Sequence, residues 1–130
     1  MSEENVELAR RASEMFNRRD LHGFLSLMAQ DVKFQPQAGP ISDGHDGMRR
    51  LWGSLIEGAD LTVEVVDTRD LGDDRVLANV RQHGHGRAGP SFDDALWVPS
   101  RWRQGECAWW GVFFDEKAAL DALEAAGLSE

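Results

Sequence analysis

Two histidines and an aspartate are the residues of this sequence whose spacing best suits acid–base chemistry. His83 and His85 are separated by one glycine, and Asp94 follows beyond a segment of turn-forming residues. Residues two apart on a strand point to the same face, so the two imidazoles would lie side by side. An aspartate that accepts a hydrogen bond from an imidazole orients the ring and raises its basicity. A His83–Asp94 pair facing a pocket is therefore our first candidate for proton transfer.

The register of the hairpin around Ala88 and Gly89 decides whether this pair forms. A two-residue loop would place His83 opposite Asp94 and direct both side chains into the pocket. A three-residue loop would swap the faces, so that Val80 and Gln82 point inward instead. Both registers are compatible with the sequence. Solvated histidines are the simpler alternative, and a lone His-x-His without a second ligand cluster predicts no metal site.

Apolar and small residues form a larger set that suits the wall of a pocket. The chain has five Trp, six Phe and no Tyr. Along the strand predicted from residue 92, Asp94 shares a face with alternate positions whose later members, from Leu96 onwards, are apolar or small, so we assign that face to the pocket. Large aromatic residues suit a core as well as a ligand. The predicted lining consists of Phe16, Phe34, Trp52, Phe92, Leu96, Val98, Ser100, Trp102, Trp110, Val112 and Phe114.

Periodicity predicts the elements that must position these residues. Apolar positions at helical spacing predict helices at the start, middle and end of the chain, and alternation predicts successive strands between them. Strands joined by tight turns favour an antiparallel meander, and the overall pattern predicts a single α+β domain over residues 1–130. The predicted helices cover 3–17, a short segment from 21, 45–57 and a segment after 115, and the predicted strands cover 32–35, 61–69, 75–87, 92–103 and 106–114.

The last predicted strand is apolar on both faces. Trp109, Trp110, Val112, Phe113 and Phe114 leave it no polar side. A sheet with one solvated face would alternate instead, so something must cover the outer face of this strand. Two arrangements would do so: a homodimer that packs outer sheet face against outer sheet face, or the last helix folding over the strand.

Charge and cysteine content restrict the partners. The chain has 130 residues, a net charge of −9 and one cysteine, Cys107. An acidic surface repels phosphate backbones, so we expect no nucleic-acid partner. An acidic amino-terminal segment without an apolar run, together with a lone cysteine, predicts a cytoplasmic protein that neither crosses a membrane nor carries an intrachain disulfide. Nothing in the sequence indicates a cofactor.

Several segments in order resemble the SnoaL-like family of the nuclear transport factor 2-like superfamily. They are Glu4–Glu7 leading to Met15–Asp20, then Asp31–Phe34, Asp43–Trp52, and a last stretch from Arg103 to Leu120. The resemblance implies a cone-shaped barrel of a curved antiparallel sheet wrapped around N-terminal helices, with a C-terminal helix. It also implies a pocket between the sheet and the helices, and often a dimer. Enzymes with this fold include ketosteroid isomerase, polyketide cyclases and scytalone dehydratase.

The residues of ketosteroid isomerase have no counterpart in this sequence. Its general base would fall on Gln35 or Pro36, neither of which can accept the proton. Its second aspartate aligns with Val98, and no tyrosine exists to hold an enolate oxygen. Steroid isomerisation by that mechanism is therefore not expected.

The resemblance and the residues together predict a small-molecule-binding domain with an apolar, aromatic pocket for a hydrophobic metabolite, such as a cyclic one. Cofactor-free isomerase, cyclase or dehydratase activity through Asp94 and His83 is left open. The alternative is a non-catalytic dimeric interaction module whose cavity is filled by its own aromatic side chains.

Overall fold

Helices stand at the beginning and end of the chain, and the strands form one sheet. The computed structural model describes residues 2–58, 61–85 and 91–128. None of the helices in these ranges is both long and apolar enough to cross a membrane. The elements are α1 (Ser2–Asn17), α2 (Leu21–Ser26), β1 (Met28–Pro36), β2 (Ser42–Asp43), α3 (Gly44–Gly58), β3 (Thr62–Gly72), β4 (Arg75–His85), β5 (Ser91–Arg103), β6 (Glu106–Val112) and α4 (Glu116–Leu128).

The sheet has the strand order β2-β1-β6-β5-β4-β3. Strands β3 to β6 form the predicted antiparallel meander, which confirms the α+β class. Two features add to the prediction. Strand β1 pairs with β6 in parallel, and the two-residue β2 lies inside a segment predicted as a loop. The sheet is open, with β2 and β3 as its edges.

Irregular pairing helps the sheet to curve. The register shifts between Val65 and Asp67 in β3, and again between Arg101 and Trp102 in β5. An extra residue on one strand bends that strand and increases its twist. The concave face formed in this way is the one that α1, α2 and α3 cover.

Asparagine side chains hold α1 against the sheet at both of its ends. Asn17 donates from Nδ2 to the Val63 carbonyl at 2.7 Å and accepts from the Val63 N–H at 2.9 Å, as a neighbouring strand would. At the other end, the buried Asn5 donates to Asp74 Oδ1 at 2.9 Å. The Asn17 bonds satisfy backbone groups of the edge strand β3, the Asn5 bond joins α1 to the turn between β3 and β4, and together they set the position of α1 over the concave face.

Helix α4 covers the outer face of β6. Trp109 and Phe113 are each 4% exposed and pack with Leu123 and Ala119 of α4 and Leu77 of β4. The second of the two arrangements predicted for this strand is therefore the one observed. The outer face of β6 needs no partner chain to explain its apolar residues, so it gives no evidence for a sheet-to-sheet homodimer.

Leu123 tests how strongly α4 contributes to the fold. It is 1% exposed, so truncation in L123A should lower the free energy of unfolding by about 2–5 kcal/mol through lost burial and a residual cavity. The control is E124A on the exposed side of the same helix, which should change it by less than about 0.5 kcal/mol. Urea denaturation followed by circular dichroism measures both, and equal midpoints would contradict the packing described.

Candidate functional site

A cavity of about 450 Å³ lies between α1 and the concave face of the sheet. Strands β1, β3, β4, β5 and β6 form its sheet side, and α1 covers most of the opposite side. Small side chains on both sides leave the space between the two layers open. Those of Ala9 and Ala12 face the cavity from the helix, and Ala78 faces it from the centre of β4.

Most of the predicted lining residues do line this cavity. Trp52 is an exception, because it packs in the core against Phe16 and Phe24 with ring centroids 5.4 and 5.2 Å away. The side chain of Phe92 lies outside the described residues. The predicted residues found in the lining are Phe16, Phe34, Leu96, Val98, Ser100, Trp102, Trp110, Val112 and Phe114.

Sequence reasoning missed the small and irregularly placed lining residues. Ala9, Ala12 and Ser13 face the cavity with Phe16. Their helical spacing was a usable signal, but alanine on an inward face more often indicates close packing than an open space. Pro36 at the end of β1, and Gln37 and Ala38 just beyond it, also line the cavity, at a point where the strand stops and no periodicity could have identified them.

The pairing of β4 with β5 shows that the first of the two predicted hairpin registers, with His83 opposite Asp94, is wrong. Gln82 pairs with Asp94, and His83 pairs with Asp93. Side chains alternate along a strand, so His83 and Asp94 point to opposite faces of the sheet. The cross-strand His83–Asp94 contact is therefore not formed, and both side chains are exposed.

The other register is the one observed. The pairing of His85 with Ser91 leaves residues 86–90, an odd number, between the paired positions, whereas a two-residue loop would require an even number. Val80 and Gln82 consequently line the cavity. Neither Asp94 nor His83 belongs to the cavity wall. No observation tests their catalytic roles, which remain predictions.

The described wall contains no Asp, Glu, His, Lys or Arg side chain, and Cys107 is its one titratable group. Burial raises the pKa of the Cys107 thiol to about 12, and the sulfur donates to the Trp109 carbonyl at 3.4 Å. At neutral pH this thiol stays protonated. No group of the described wall therefore gains or loses a proton near pH 7.

Several of the few polar groups in the wall already make hydrogen bonds within the protein. Trp102 Nε1 donates to Ser100 Oγ at 2.9 Å. Ser13 Oγ donates to the Ala9 carbonyl at 3.4 Å, and Gln37 Oε1 accepts from the Phe114 N–H at 2.7 Å. Trp110 Nε1 is buried, and none of the described residues accepts its hydrogen.

These groups lie at different depths. Ser100, in the last third of β5, is 5% exposed, whereas Phe114, between β6 and α4, is 63% exposed. Gln37 is bonded to Phe114 and is also exposed. The cavity thus runs from a rim at Gln37 and Phe114 to a floor at Ser100.

A second, shallow depression at the start of α3 is polar, but its charges are paired. Lys33 Nζ lies 2.6 Å from Asp43, and Arg49 lies 2.8 Å from Asp46. His45 Nε2 is 3.0 Å from the Met28 carbonyl. Nowhere in the described ranges do three or more His, Cys, Asp or Glu side chains cluster to hold a metal ion.

Cys107 provides a test of how closed the floor is. It is 1% exposed and its thiol is protonated at pH 8, so the folded protein should react with Ellman's reagent at least about 100-fold more slowly than the urea-unfolded chain. Because unfolding returns the pKa to its ordinary value near 9.0, raising the pH from 9 towards 12 should also destabilise the fold. Comparable labelling rates of folded and unfolded protein would contradict this burial.

The chain shares this architecture with a protein family and with several solved structures. The family model described as a SnoaL-like domain matches residues 9–115. No curated protein matches the sequence. TerC, co-crystallized with polyporic acid, superposes with a TM-score of 0.78 at 20% identity, with 93% of this chain and 98% of that chain covered.

Two further solved structures have the same architecture. An NTF2-like protein from Burkholderia pseudomallei superposes with a TM-score of 0.79 at 20% identity, covering 95% of this chain and 97% of its own. RV0760c from Mycobacterium tuberculosis, in complex with estradiol-17beta-hemisuccinate, gives 0.77 at 16% identity, covering 88% and 96%. Identities this low establish a shared fold and nothing finer.

Proposed function

We propose that this chain, which belongs to the SnoaL-like domain family, binds a hydrophobic small molecule between α1 and the concave face of its sheet. The observation that carries this proposal is the apolar cavity of about 450 Å³. Pockets for drug-sized ligands usually measure roughly 300–1,000 Å³ and combine apolar walls with a few polar groups. Structural neighbours that hold polyporic acid or estradiol-17beta-hemisuccinate support the same use of the fold.

Burial of apolar ligand surface would supply most of the affinity. Each 100 Å² removed from water is worth about 2.5 kcal/mol before the costs of association. The wall offers carbon on nearly all sides, from Phe16 on the helix to Leu96 and Val98 on the sheet. A cyclic ligand suits such a wall, because rigid rings lose little conformational entropy on binding.

The open volume favours this proposal over a module filled by its own aromatic residues. Phe24 and Trp52 pack tightly beside the cavity, but the space next to them remains. Filling would have required large side chains at Ala12 and Ala78, where alanine stands.

The composition of the wall favours binding over acid–base turnover. A general acid or base must come within about 3 Å of the proton that it moves, directly or through one water. Asp94 and His83 are exposed and point to opposite faces, and neither belongs to the described wall. Without a proton-handling group there, the proposed function requires no isomerase, cyclase or dehydratase step.

Val98 allows the pocket to be blocked from within. V98F places a ring in the cavity, so the affinity for the neutral fluorescent probe N-phenyl-1-naphthylamine should fall at least about tenfold. The matched control V98A enlarges the same site and should keep the affinity within about threefold. Fluorescence titration measures both, with thermal melts to show that the variants fold. Unchanged binding by a folded V98F would place the probe elsewhere and count against the proposal.

A homodimer remains part of the proposal, through the outer sheet face that α4 leaves uncovered. Exposed Glu64, Arg81 and His83 lie on that face across β3 and β4. Charges of both signs suit a two-fold interface, in which each group meets a copy of the same patch. A cytoplasmic location likewise remains proposed, supported by the free thiol of Cys107.

Sedimentation equilibrium tests the dimer directly. We expect the mass of two chains at micromolar concentration, and R81E should shift the mass towards that of one chain because it leaves the patch without its arginine. Exchange of an exposed charge away from this face, as in E124A, should leave the mass unchanged. A single-chain mass for the unmodified protein would remove the dimer.

A further inference from the structure

We infer that the pocket floor selects a neutral ligand with a carbonyl-type oxygen, which accepts a hydrogen bond from the Ser100 hydroxyl. This inference rests on the proposed function and specifies the ligand. Ser100 is a buried part of the cavity wall, 5% exposed, and lies directly opposite Val76 on β4 and Trp110 on β6.

The hydrogen bond from Trp102 makes Ser100 a donor. A hydroxyl group has one hydrogen and two acceptor lone pairs. The indole Nε1 of Trp102 donates to Oγ at 2.9 Å, so the hydroxyl hydrogen must point away from that ring. No described residue accepts this hydrogen. A hydroxyl that already accepts one hydrogen bond is also polarised and donates more strongly.

The floor around Ser100 lacks acceptors. Trp110, its direct cross-strand neighbour on the same face, buries an indole N–H for which the described residues offer no acceptor. At the rim, the carbonyl oxygen of Gln37 is occupied by the Phe114 N–H, which leaves the amide hydrogens of Gln37 to donate. The amide of Gln82 and the serine hydroxyls can both donate and accept. A ligand with an acceptor oxygen nevertheless complements the floor best, because the hydroxyl hydrogen of Ser100 and the indole N–H of Trp110 have no acceptor among the described residues.

The charge environment favours a neutral acceptor over a carboxylate. No lysine, arginine or histidine belongs to the described wall, and the chain carries a net charge of −9. A carboxylate buried without a cationic partner loses hydration that one hydroxyl donor cannot replace. Ketones, quinones and lactones carry the required oxygen without that cost, so apolar ring compounds of these classes form the predicted ligand group.

A matched set of three-ring compounds separates the oxygen from the rings. The probes are 9-fluorenone, fluorene and fluorene-9-carboxylate, which share one skeleton. We expect the unmodified protein to bind fluorenone about tenfold more tightly than fluorene, which corresponds to one net hydrogen bond, and the carboxylate more weakly than fluorene. Equilibrium dialysis gives the three affinities without a label.

Variants must remove the Ser100 hydroxyl without creating a substitute donor. S100A alone would release the Trp102 N–H, which could then bond to the ligand in place of the hydroxyl. W102F and the double variant S100A/W102F therefore form the decisive pair, because they differ only in the hydroxyl. W102F should retain a preference for fluorenone, and S100A/W102F should lose it. S13A, at a lining hydroxyl that bonds to its own helix, is the control and should behave like the unmodified protein.

Infrared spectroscopy reports the same bond by another route. The carbonyl stretch of bound fluorenone should move to lower frequency in the unmodified protein and in W102F, and return towards its apolar-solvent position in S100A/W102F. Equal affinities for fluorenone and fluorene, tighter binding of the carboxylate, or a carbonyl shift that persists in S100A/W102F would overturn the inference and leave the proposed function standing. If neither fluorenone nor fluorene bound, both would fail.

Discussion

Burial of β6 on both faces is the constraint on which the rest of this structure depends. The strand lies between β1 and β5, so its backbone forms hydrogen bonds on both edges. Its side chains pack against a different layer on each face of the sheet. Trp109 and Phe113 anchor α4 on the outside, while Cys107 and Trp110 face the helices on the inside. Because the outer layer is closed by α4, all remaining apolar surface of the strand is directed to the concave side. There the layers are held at their edges by asparagine hydrogen bonds and do not meet over Ala78.

Local patterns in the sequence were sufficient for most of the elements, but not for the short strand β2, the start of β1 or all of the strand pairings. The helical stripe over 45–57 and the alternation over 75–87 lie within two residues of α3 and of the described end of β4. The parallel pairing of β1 with β6 joins residues more than 70 positions apart, and nothing in either segment encodes its partner. The hairpin register escaped prediction for a related reason. A change of one residue in a loop exchanges both faces of a strand, and that change is decided by the connection rather than by the alternation.

In the candidate site too, the sequence indicated which types of residue form the wall but not where each side chain lies. Phe16, Phe34 and Trp110 were assigned to the wall because inward aromatic residues either fill a core or border a space. Trp52 belongs to the same class, yet it packs at 5.2 Å from Phe24 instead of facing the cavity. No local rule separates Trp52 from Trp110, because both pack against phenylalanine rings and only their positions in the fold place Trp110 at the cavity. Ser100 was likewise placed on the pocket face, but its donor character became visible only with the position of the Trp102 indole.

A hollow of this kind has a physical consequence for the free protein. Larger side chains at Ala12 or Ala78 would bury more apolar surface and raise stability, as cavity-filling substitutions commonly do. The chain instead keeps an accessible apolar surface beside a buried indole N–H that lacks an acceptor, which costs about 1–3 kcal/mol. A ligand that binds only the folded state raises the free energy of unfolding by RT ln(1 + [L]/Kd), which offsets such a cost. Under the proposed function, stability and ligand occupancy are therefore coupled, and the small side chains that leave the cavity open provide the space on which that coupling depends.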